Sequence, residues 1–337
     1  MQKSDFIFSI EELEKYLKIP LSSEIKDVHF KLLIPKYYVD LIDWHDPKDP
    51  LRLMVLPDAR EKNTRKYELA DPIGDITHSP VPGIIHRHAN RALLNLTSSC
   101  AVHCRFCFRK NLLESSAADL QKSLAYLKQH TEIWEVIFSG GDPFTLTDTF
   151  LEKILNELRK IPHIKVIRFH TRTPAVYPKR VTSQLAQILR KAAPVTVVLH
   201  INHPREITEG FRRSVQKMQK ANLMLLSQTV LMRDVNDDVE TLKNLFQGLV
   251  KIGVKPYYLH HLDYAIGTHY FRVSVEKGKR LVQSLRDTLS GTCIPEYVID
   301  TPGGHGKIPV FWFQNCGKGK YTAKNFQNKK ILYFDEV

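Results

Sequence analysis

Three cysteines lie close together in this sequence and could bind a metal. Cys100, Cys104 and Cys107 form a C-x3-C-x2-C motif. Thiolates favour soft metals, so the motif indicates either zinc or an iron–sulfur cluster. A structural zinc site requires four ligands, and His103 is the nearest candidate for a fourth. Electron-transfer clusters also generally use four cysteines. Three thiolates on a four-iron cluster would instead leave one iron open to bind and activate a small molecule.

The elements that would position this motif alternate between short apolar runs and amphipathic helical patterns. Such alternation predicts parallel βα units. Six units are fewer than the eight of a complete barrel, so we expect an α/β fold built as a partial (β/α)6 barrel. The predicted strands are Ala92–Leu96, Glu135–Phe138, Lys165–Phe169, Val195–Leu199, Leu223–Leu226 and Lys255–Leu259, and the helices predicted between them include Thr149–Arg159, Ser183–Lys191, Phe211–Lys220 and Val239–Lys251.

Polar residues and glycines follow nearly every predicted strand. In barrels of this kind the active site gathers at the C-terminal ends of the strands, so these residues should line one site. They are the Cys100 region, Ser139-Gly140-Gly141-Asp142, His170–Arg172, His200–His203, Gln228 and His260–Asp263.

The chain divides into three predicted parts. Residues 1–90 form an N-terminal helical extension that covers the barrel, and Ser9 with Glu12 indicates the start of a short helix over Ile10–Leu17. Residues 91–290 form the barrel. Residues 291–337 form a C-terminal segment that carries Lys307 and a basic tail.

Composition narrows the class of protein. The 337 residues are 43% hydrophobic and 25% charged, which is ordinary for a globular chain. Five cysteines and no secretion signal argue against a disulfide framework, and no apolar run approaches the roughly 20 residues of a membrane span. We therefore expect a cytoplasmic protein. The formal net charge of +13 is compatible with binding to a nucleic acid, an anionic small molecule or an acidic protein. It is equally compatible with a basic surface that has no such partner.

The cysteine motif resembles that of radical S-adenosylmethionine (SAM) enzymes, in which an aromatic residue such as Phe106 precedes the third cysteine. The resemblance implies a 4Fe-4S cluster whose open iron binds SAM and cleaves it to a 5′-deoxyadenosyl radical. Ser139, Gly140, Gly141 and Asp142 resemble the superfamily's glycine motif, which contacts the amino group of SAM.

Between Val81 and Val310 the sequence resembles the lysine 2,3-aminomutase family, which also uses pyridoxal phosphate (PLP). The resemblance is closest to the EpmB-type branch, which supplies β-lysine for translation elongation factor P. Four stretches carry the family resemblance: Pro82-Gly83 through Arg91-Ala-Leu-Leu, the cysteine loop ending in Phe108-Arg109, Pro256-Tyr-Tyr-Leu-His-His-Leu-Asp263 and Asp300-Thr-Pro-Gly-Gly-His-Gly-Lys307.

The resemblance implies a role for each matching residue. Lys307 would hold PLP as a Schiff base, although His305 stands where the family usually has a fourth glycine. Arg87 and Arg91 would bind the PLP phosphate, because guanidinium groups suit phosphate oxygens. Arg109 would bind the substrate carboxylate, and Asp263 and Asp300 would bind the ε-ammonium of lysine. His200 and Gln228 would contact SAM or PLP.

The implied reaction converts α-lysine to β-lysine by a radical 1,2-shift. It requires an electron donor of flavodoxin or ferredoxin type, and the product would pass to the ligase that modifies elongation factor P.

We expect no zinc site in the C-terminal tail, and a homo-oligomer is compatible with the sequence. The alternatives are free β-lysine metabolism, a radical SAM enzyme that acts on RNA, and a non-enzymatic metal-containing nucleic-acid-binding module. We interpret His86, His88, His260 and His261 as polar lining of the cofactor pocket rather than metal ligands.

Overall fold

A computed structural model of the chain describes residues 1–21, 30–112, 118–192 and 194–335. Within these ranges the strands are β1 (Phe6–Ile7), β2 (Ile34–Pro35), β3 (Ile84–His88), β4 (Arg91–Asn95), β5 (Glu135–Ser139), β6 (Val166–Thr171), β7 (Val195–His200), β8 (Met224–Val230), β9 (Lys255–His260), β10 (Glu296–Thr301), β11 (Gly306–Pro309), β12 (Gln314–Asn315), β13 (Lys320–Lys324) and β14 (Lys330–Phe334). The α-helices are α1 (Ile10–Leu17), α2 (Lys36–Val39), α3 (Pro50–Val55), α4 (Leu120–Gln129), α5 (Asp148–Arg159), α6 (Thr173–Val176), α7 (Ser183–Lys191), α8 (Glu209–Lys220), α9 (Val239–Lys251) and α10 (Val275–Thr288).

One large sheet dominates the fold. In the described part of the chain it has nine strands in the order β11-β10-β9-β8-β7-β6-β5-β4-β3. Strands β4 to β10 run parallel, whereas β3 and β11 pair antiparallel at the two edges. The six predicted parallel strands are confirmed as β4 to β9, and the α/β class is confirmed with them.

The sheet is wider than the sequence analysis predicts. Strand β10 adds a seventh parallel strand, and β3 and β11 close the edges, so the sheet draws strands from both flanking segments of the chain. Residues Tyr297 to Thr301 in β10 are all buried, and a strand buried on both faces lacks the alternating pattern that identifies a strand. The division of the chain at residues 90 and 290 stays a prediction.

The helices cover the outer face of the sheet and begin at side-chain caps. In each of the longer helices α5, α7, α8, α9 and α10 a hydroxyl or carboxylate accepts a hydrogen bond from a first-turn backbone N–H. The capping residues are Thr147, Thr182, Thr208, Asp238 and Ser274. Beneath the helices, alternate strand residues are fully buried, and the rings of Phe138 and Phe169 stack at 4.5 Å. Each such side chain contributes about 1.5–3 kcal/mol on burial. In the described residues, no helix has the length and apolar character needed to cross a membrane.

Candidate active site

The cysteine loop follows β4 and is held by the N-terminal segment. His103 donates its backbone N–H to Leu33 O at 2.9 Å, and Arg105 donates to Met54 O at 2.9 Å. The fully buried Arg105 side chain also donates from Nε to Glu61 Oε1 at 2.7 Å. Removing one partner of a buried ion pair costs about 3–5 kcal/mol, so this pair strongly fixes the loop. The N-terminal segment therefore positions the three cysteines.

The three thiols are free and partly buried. Burial raises the pKa of Cys100, Cys104 and Cys107, and the pKa of Cys104 reaches about 12. Buried thiols that resist ionisation become stable thiolates when a metal neutralises their charge. Three such thiols on one short loop at a strand exit therefore fit the cluster that the sequence predicts.

The glycine turn after β5 packs directly against the residues before Cys100. Gly141 donates its backbone N–H to Thr97 O at 2.8 Å, and Asp142 donates to Ser99 O at 2.8 Å. Gly140 has a φ of +104°, which favours glycine, and a Cβ on Gly141 would lie 2.2 Å from Ser99 O. Both glycines are required for this turn to lie beside the cysteine loop.

The Asp142 side chain braces the turn from inside the protein. Its carboxylate accepts hydrogen bonds from Phe144 N at 2.9 Å, Thr171 Oγ1 at 2.7 Å, Arg172 N at 2.8 Å and Thr173 N at 2.9 Å. The group therefore ties the end of β5 to the end of β6. This arrangement favours a positioning role for Asp142 over direct contact with a cofactor.

The less buried face of the sheet carries polar side chains at neighbouring strand ends. Asn95 lies beside Ser139, and His200 lies beside Gln228, in the strand register. Among the described residues, Asn95 Oδ1, His170 Nε2 and His200 Nε2 are buried atoms without a hydrogen-bond partner. Buried polar atoms are almost always hydrogen-bonded, so these orphaned groups indicate a space that a polar ligand fills. SAM has the amino, carboxylate, ribose and adenine groups to satisfy them.

A second group of site residues lies at the other edge of the barrel mouth. Strands β10 and β11 place Asp300 directly opposite Lys307, and Lys307 Nζ donates to Asp300 Oδ2 at 2.6 Å. Arg87 on β3 donates to Asp300 Oδ1 at 3.2 Å. Burial alone would raise the pKa of Asp300, but Lys307 and Arg87 hold it below its ordinary value. Asp300 is therefore an ionised carboxylate between two cations.

Asp263, which follows β9, belongs to the same region. Burial and then the neighbouring charge of Asp300 raise the pKa of Asp263 to about 7. The loop that carries it is supported from behind, because the Tyr264 ring stacks on Tyr333 at 5.4 Å and Tyr333 Oη accepts a hydrogen bond from Arg272 at 2.8 Å. The two aspartates thus form a pair in which a bound cation would favour ionisation of both.

Sequence reasoning missed Asp75, a buried carboxylate that joins the two halves of the site. It accepts hydrogen bonds from Arg109 Nε at 2.7 Å and from Arg87 at 3.3 Å. Arg109 also donates to Ser139 Oγ at 2.9 Å, so the contacts run from the glycine turn to Asp300. No local motif marks Asp75, since its partners lie far along the chain.

Positive charge concentrates around His88. Burial, followed by Arg91, Arg87 and Lys307, lowers the pKa of His88 to about 4. Arg87 Nε is buried without a partner among the described residues, whereas Arg91 donates to Asn90 Oδ1 at 3.0 Å. Two arginines, one with an unused donor, fit the phosphate of PLP, because guanidinium groups bind phosphate oxygens well.

The glycine loop before Lys307 packs against the segment around His78. Gly303, Gly304 and Gly306 have φ values of +78°, +79° and +86°. A Cβ on Gly304 would lie 2.3 Å from the His78 ring, so this close approach requires glycine. His305 is accommodated between these glycines with a partly exposed side chain. The structure thus turns the chain sharply and returns it along β11 with Lys307 facing Asp300.

The histidine interpretation is wrong for two residues. His86 contacts Tyr126 of α4 through Nδ1 at 2.8 Å, on the helix-covered side of the sheet. His261 is buried against Tyr297 Oη at 2.7 Å and Arg272 at 3.3 Å, behind the site. The reason is strand alternation: Arg87 points toward Asp300, so its neighbour His86 points the opposite way.

The chain is similar to several known proteins. The family model of the radical SAM superfamily matches residues 94–246. The chain is 38% identical over 344 residues to the L-lysine 2,3-aminomutase of Clostridium subterminale, covering 98% of this chain and 82% of that protein. It is 34% identical over 346 residues to the glutamate 2,3-aminomutase of Clostridioides difficile, covering 99% and 82%. The solved structure of Streptococcus suis SuiB bound to S-adenosylmethionine superposes with a TM-score of 0.47 at 14% identity, over 66% of this chain and 52% of that chain.

The fold and the cysteine loop define a radical SAM enzyme. Within that superfamily, the chain belongs to the lysine 2,3-aminomutase family of isomerases. Membership of this family implies a 4Fe-4S cluster, SAM and PLP as cofactors.

Proposed function

We propose that this protein is an L-lysine 2,3-aminomutase that moves the α-amino group of lysine to its β-carbon. The observation that carries the proposal is the pair Asp263 and Asp300 beside Lys307 at the barrel mouth. Two neighbouring carboxylates repel each other and require a cation between them. The ε-ammonium of lysine supplies that cation, whereas the side-chain carboxylate of glutamate would be repelled.

Asp300 lies where it could contact both the cofactor lysine and the substrate. Its carboxylate accepts hydrogen bonds from Lys307 Nζ at 2.6 Å and from Arg87 at 3.2 Å. Lys307 would hold PLP, and Asp300 together with Asp263 would bind the ε-ammonium of the substrate lysine.

The other site residues would bind the cofactors and the substrate. Cys100, Cys104 and Cys107 would hold the cluster, with Ser139, Gly140 and Gly141 beside the amino group of SAM. When bound, the cluster and SAM supply a hydrogen-abstracting radical, and PLP supplies a conjugated ring that stabilises unpaired spin. Arg87 and Arg91 would bind the PLP phosphate, Arg109 the substrate carboxylate, and His200 and Gln228 the cofactors. Asp142 positions the turn.

The position of Arg109 supports its assignment. Its guanidinium lies between Asp75 and Ser139, next to the cysteine loop that it follows. A cation buried at this point can hold a substrate carboxylate close to the cluster. Asp75 and Arg87 link Arg109 to Asp300, so one network would bind both the carboxylate and the ε-ammonium of lysine.

We further propose that the β-lysine serves the modification of elongation factor P in the cytoplasm, with a flavodoxin- or ferredoxin-type electron donor. The stretches Phe-Ser-Gly-Gly-Asp-Pro and Tyr-Tyr-Leu-His, which resemble that branch, support this proposal. Free β-lysine metabolism is the alternative. Deletion of the gene in its host separates the two, because the first role predicts that β-lysine disappears from elongation factor P, whereas the second predicts that only the free β-lysine pool falls. Added β-lysine should restore the modification in the deletion strain.

The proposed activity is tested by anaerobic incubation of the reconstituted enzyme with lysine, SAM and dithionite, followed by chiral analysis of the products. We expect β-lysine to form, and to require PLP. A parallel incubation with glutamate is the matched comparison. Formation of β-glutamate in preference to β-lysine would contradict the role of the aspartate pair.

A further inference from the structure

A second group of metal-ligating side chains lies outside the barrel mouth. His86 is on β3, His130 directly follows α4, and Glu132 lies in the connection to β5. One potential ligand atom from each residue lies within 4.8 Å of the other two. The group sits on the helix side of β3, whereas the neighbouring Arg87 faces Asp300 in the active site.

We propose that His86, His130 and Glu132 bind a divalent transition metal, with zinc as the best match. Two imidazoles and one carboxylate suit zinc, which accepts nitrogen and oxygen ligands in a tetrahedral arrangement. Three protein ligands leave the fourth position to water. The proposed ligand is thus a cation of intermediate softness. Its site differs in position and in donor atoms from the thiolate site of the cluster.

The arrangement of the rings supports one shared ion. The ring centroids of His86 and His130 lie 5.6 Å apart, with an interplanar angle of 81°. Two imidazoles bound to one tetrahedral ion through bonds of about 2.0 Å have centroids about 5 Å apart. The ligand atoms of such an ion are about 3.3 Å apart, so the side chains need to close by about 1.5 Å at most. Side-chain rotation in the exposed connection provides such a movement.

The surroundings orient the ligands. His86 Nε2 lies 3.2 Å from Ala89 O, and a proton on this nitrogen leaves Nδ1 with a lone pair. Tyr126 Oη contacts Nδ1 at 2.8 Å, so a bound metal would take the place of this hydrogen bond. His130 Nδ1 lies 2.7 Å from Glu132 Oε1, and the Tyr126 ring stacks on His130 at 3.9 Å. These contacts limit the motion of all three side chains before a metal binds.

Solvent reaches the group, because the side chains of His130 and Glu132 are 35% and 48% exposed. A bound ion would link the edge strand β3 to the connection between α4 and β5. It would therefore act as a cross-link at the edge of the sheet, next to the strand that carries Arg87. We expect zinc to stabilise the fold without taking part in the reaction.

Zinc titration of the reconstituted holoenzyme tests this proposal, because iron then fills the cysteine site. We expect about one zinc per chain by metal analysis after dialysis, and a thermal unfolding midpoint that rises with zinc. His130→Ala should weaken zinc binding at least about tenfold and abolish the rise in midpoint, while zinc-free activity is retained. Glu132→Gln should weaken binding less.

His45→Gln is the matched control, since His45 is an exposed histidine elsewhere on the surface. It should bind zinc like the wild type. A wild-type holoenzyme that binds no more zinc than His130→Ala would overturn the proposal. Zinc binding at the wild-type level in both His130→Ala and Glu132→Gln would likewise overturn it, because the ion would then lie elsewhere, for example at the exposed Cys316.

Discussion

The two halves of the barrel mouth are built by different means. The cluster half, formed by the cysteine loop and the turn Ser139–Asp142, is held by backbone hydrogen bonds, by the buried Asp142 carboxylate and, behind the loop, by the Arg105–Glu61 ion pair. The lysine half, formed by Arg87, Asp263, Asp300 and Lys307, is held by charges that neutralise one another. Where the two halves face the site, the first depends on close backbone packing and the second on charge balance.

This difference teaches which changes each half tolerates. Backbone contacts between Gly141 and Thr97 leave no space for another side chain. The lysine half depends instead on charge, because Asp300 contacts both Lys307 and Arg87. A change in side-chain volume should therefore affect the first half most, and a change in charge the second.

The largest effect should come from the cluster ligands. Cys104→Ala should lose both the bound four-iron cluster and all turnover, because only three thiolates are available on the loop. Iron and sulfide analysis with an anaerobic activity assay measures this. Cys316→Ala, which changes an exposed cysteine in the C-terminal segment, is the control and should retain both. A Cys104→Ala enzyme with a full cluster would show that the ligand assignment is wrong.

The next largest effect concerns substrate charge. Asp263→Asn should reduce kcat/KM for lysine by about 30-fold to several thousand-fold, equivalent to a lost buried charge contact of about 2–5 kcal/mol. Asp300→Asn should in addition disturb PLP, because Asp300 contacts both Lys307 and Arg87. SAM affinity, measured in the same proteins, should hardly change. A kcat/KM for lysine equal to that of the wild type in Asp263→Asn would refute the assignment of substrate-charge recognition to the lysine half.

A shape change in the cluster half should have an intermediate effect. Gly141→Ala places a Cβ 2.2 Å from Ser99 O, and the turn must shift to relieve this overlap. We expect a loss of about 1–3 kcal/mol in SAM binding or in the free energy of unfolding. Gly291→Ala is the matched control, because no atom lies within 4 Å of the added Cβ. Equal SAM affinity and equal stability in both variants would mean that the close packing of the turn is unimportant.

The smallest effect is on pH dependence. The pKa of Asp263 is raised to about 7, so this carboxyl becomes neutral as the pH falls below 7, while the ε-ammonium of lysine stays charged. The KM for lysine should therefore rise at lower pH, by up to about tenfold per unit well below 7. In Asp263→Asn the KM should be high and should lack this dependence. An identical pH profile in both proteins would assign the titration to another group.

The sequence predicts the cluster half better than the lysine half because its signals are local. The cysteine spacing, the glycine turn and strands β4 to β9 each lie in one short stretch, and helices α7 and α9 have the predicted bounds. In contrast, Asp75 lies 12 positions from Arg87 and 34 positions from Arg109, and only the tertiary fold brings them together. Local pattern also gives no sign of the four hydrogen bonds that Asp142 accepts, since they form only once β5 and β6 are side by side.

Helix α4 and strand β11 both lie outside the elements predicted from the sequence. Asp119 caps α4, and Leu120, Leu124 and Leu127 recur at helical spacing, so this helix carries local signals that the sequence analysis does not use. Strand β11 is four residues long and begins at a glycine, so it is indistinguishable from a loop until it pairs with β10. This pairing is what places Lys307 opposite Asp300.

The position of the PLP-binding amine tests the central claim most directly. Borohydride reduction of the PLP-loaded enzyme, followed by proteolysis and peptide mass mapping, locates the lysine that carries the phosphopyridoxyl group. Lys307 faces Asp300 at 2.6 Å in the lysine half of the site, so the label should lie on Lys307. It should be absent in Lys307→Ala. A label on any other lysine of the wild-type enzyme would contradict the account.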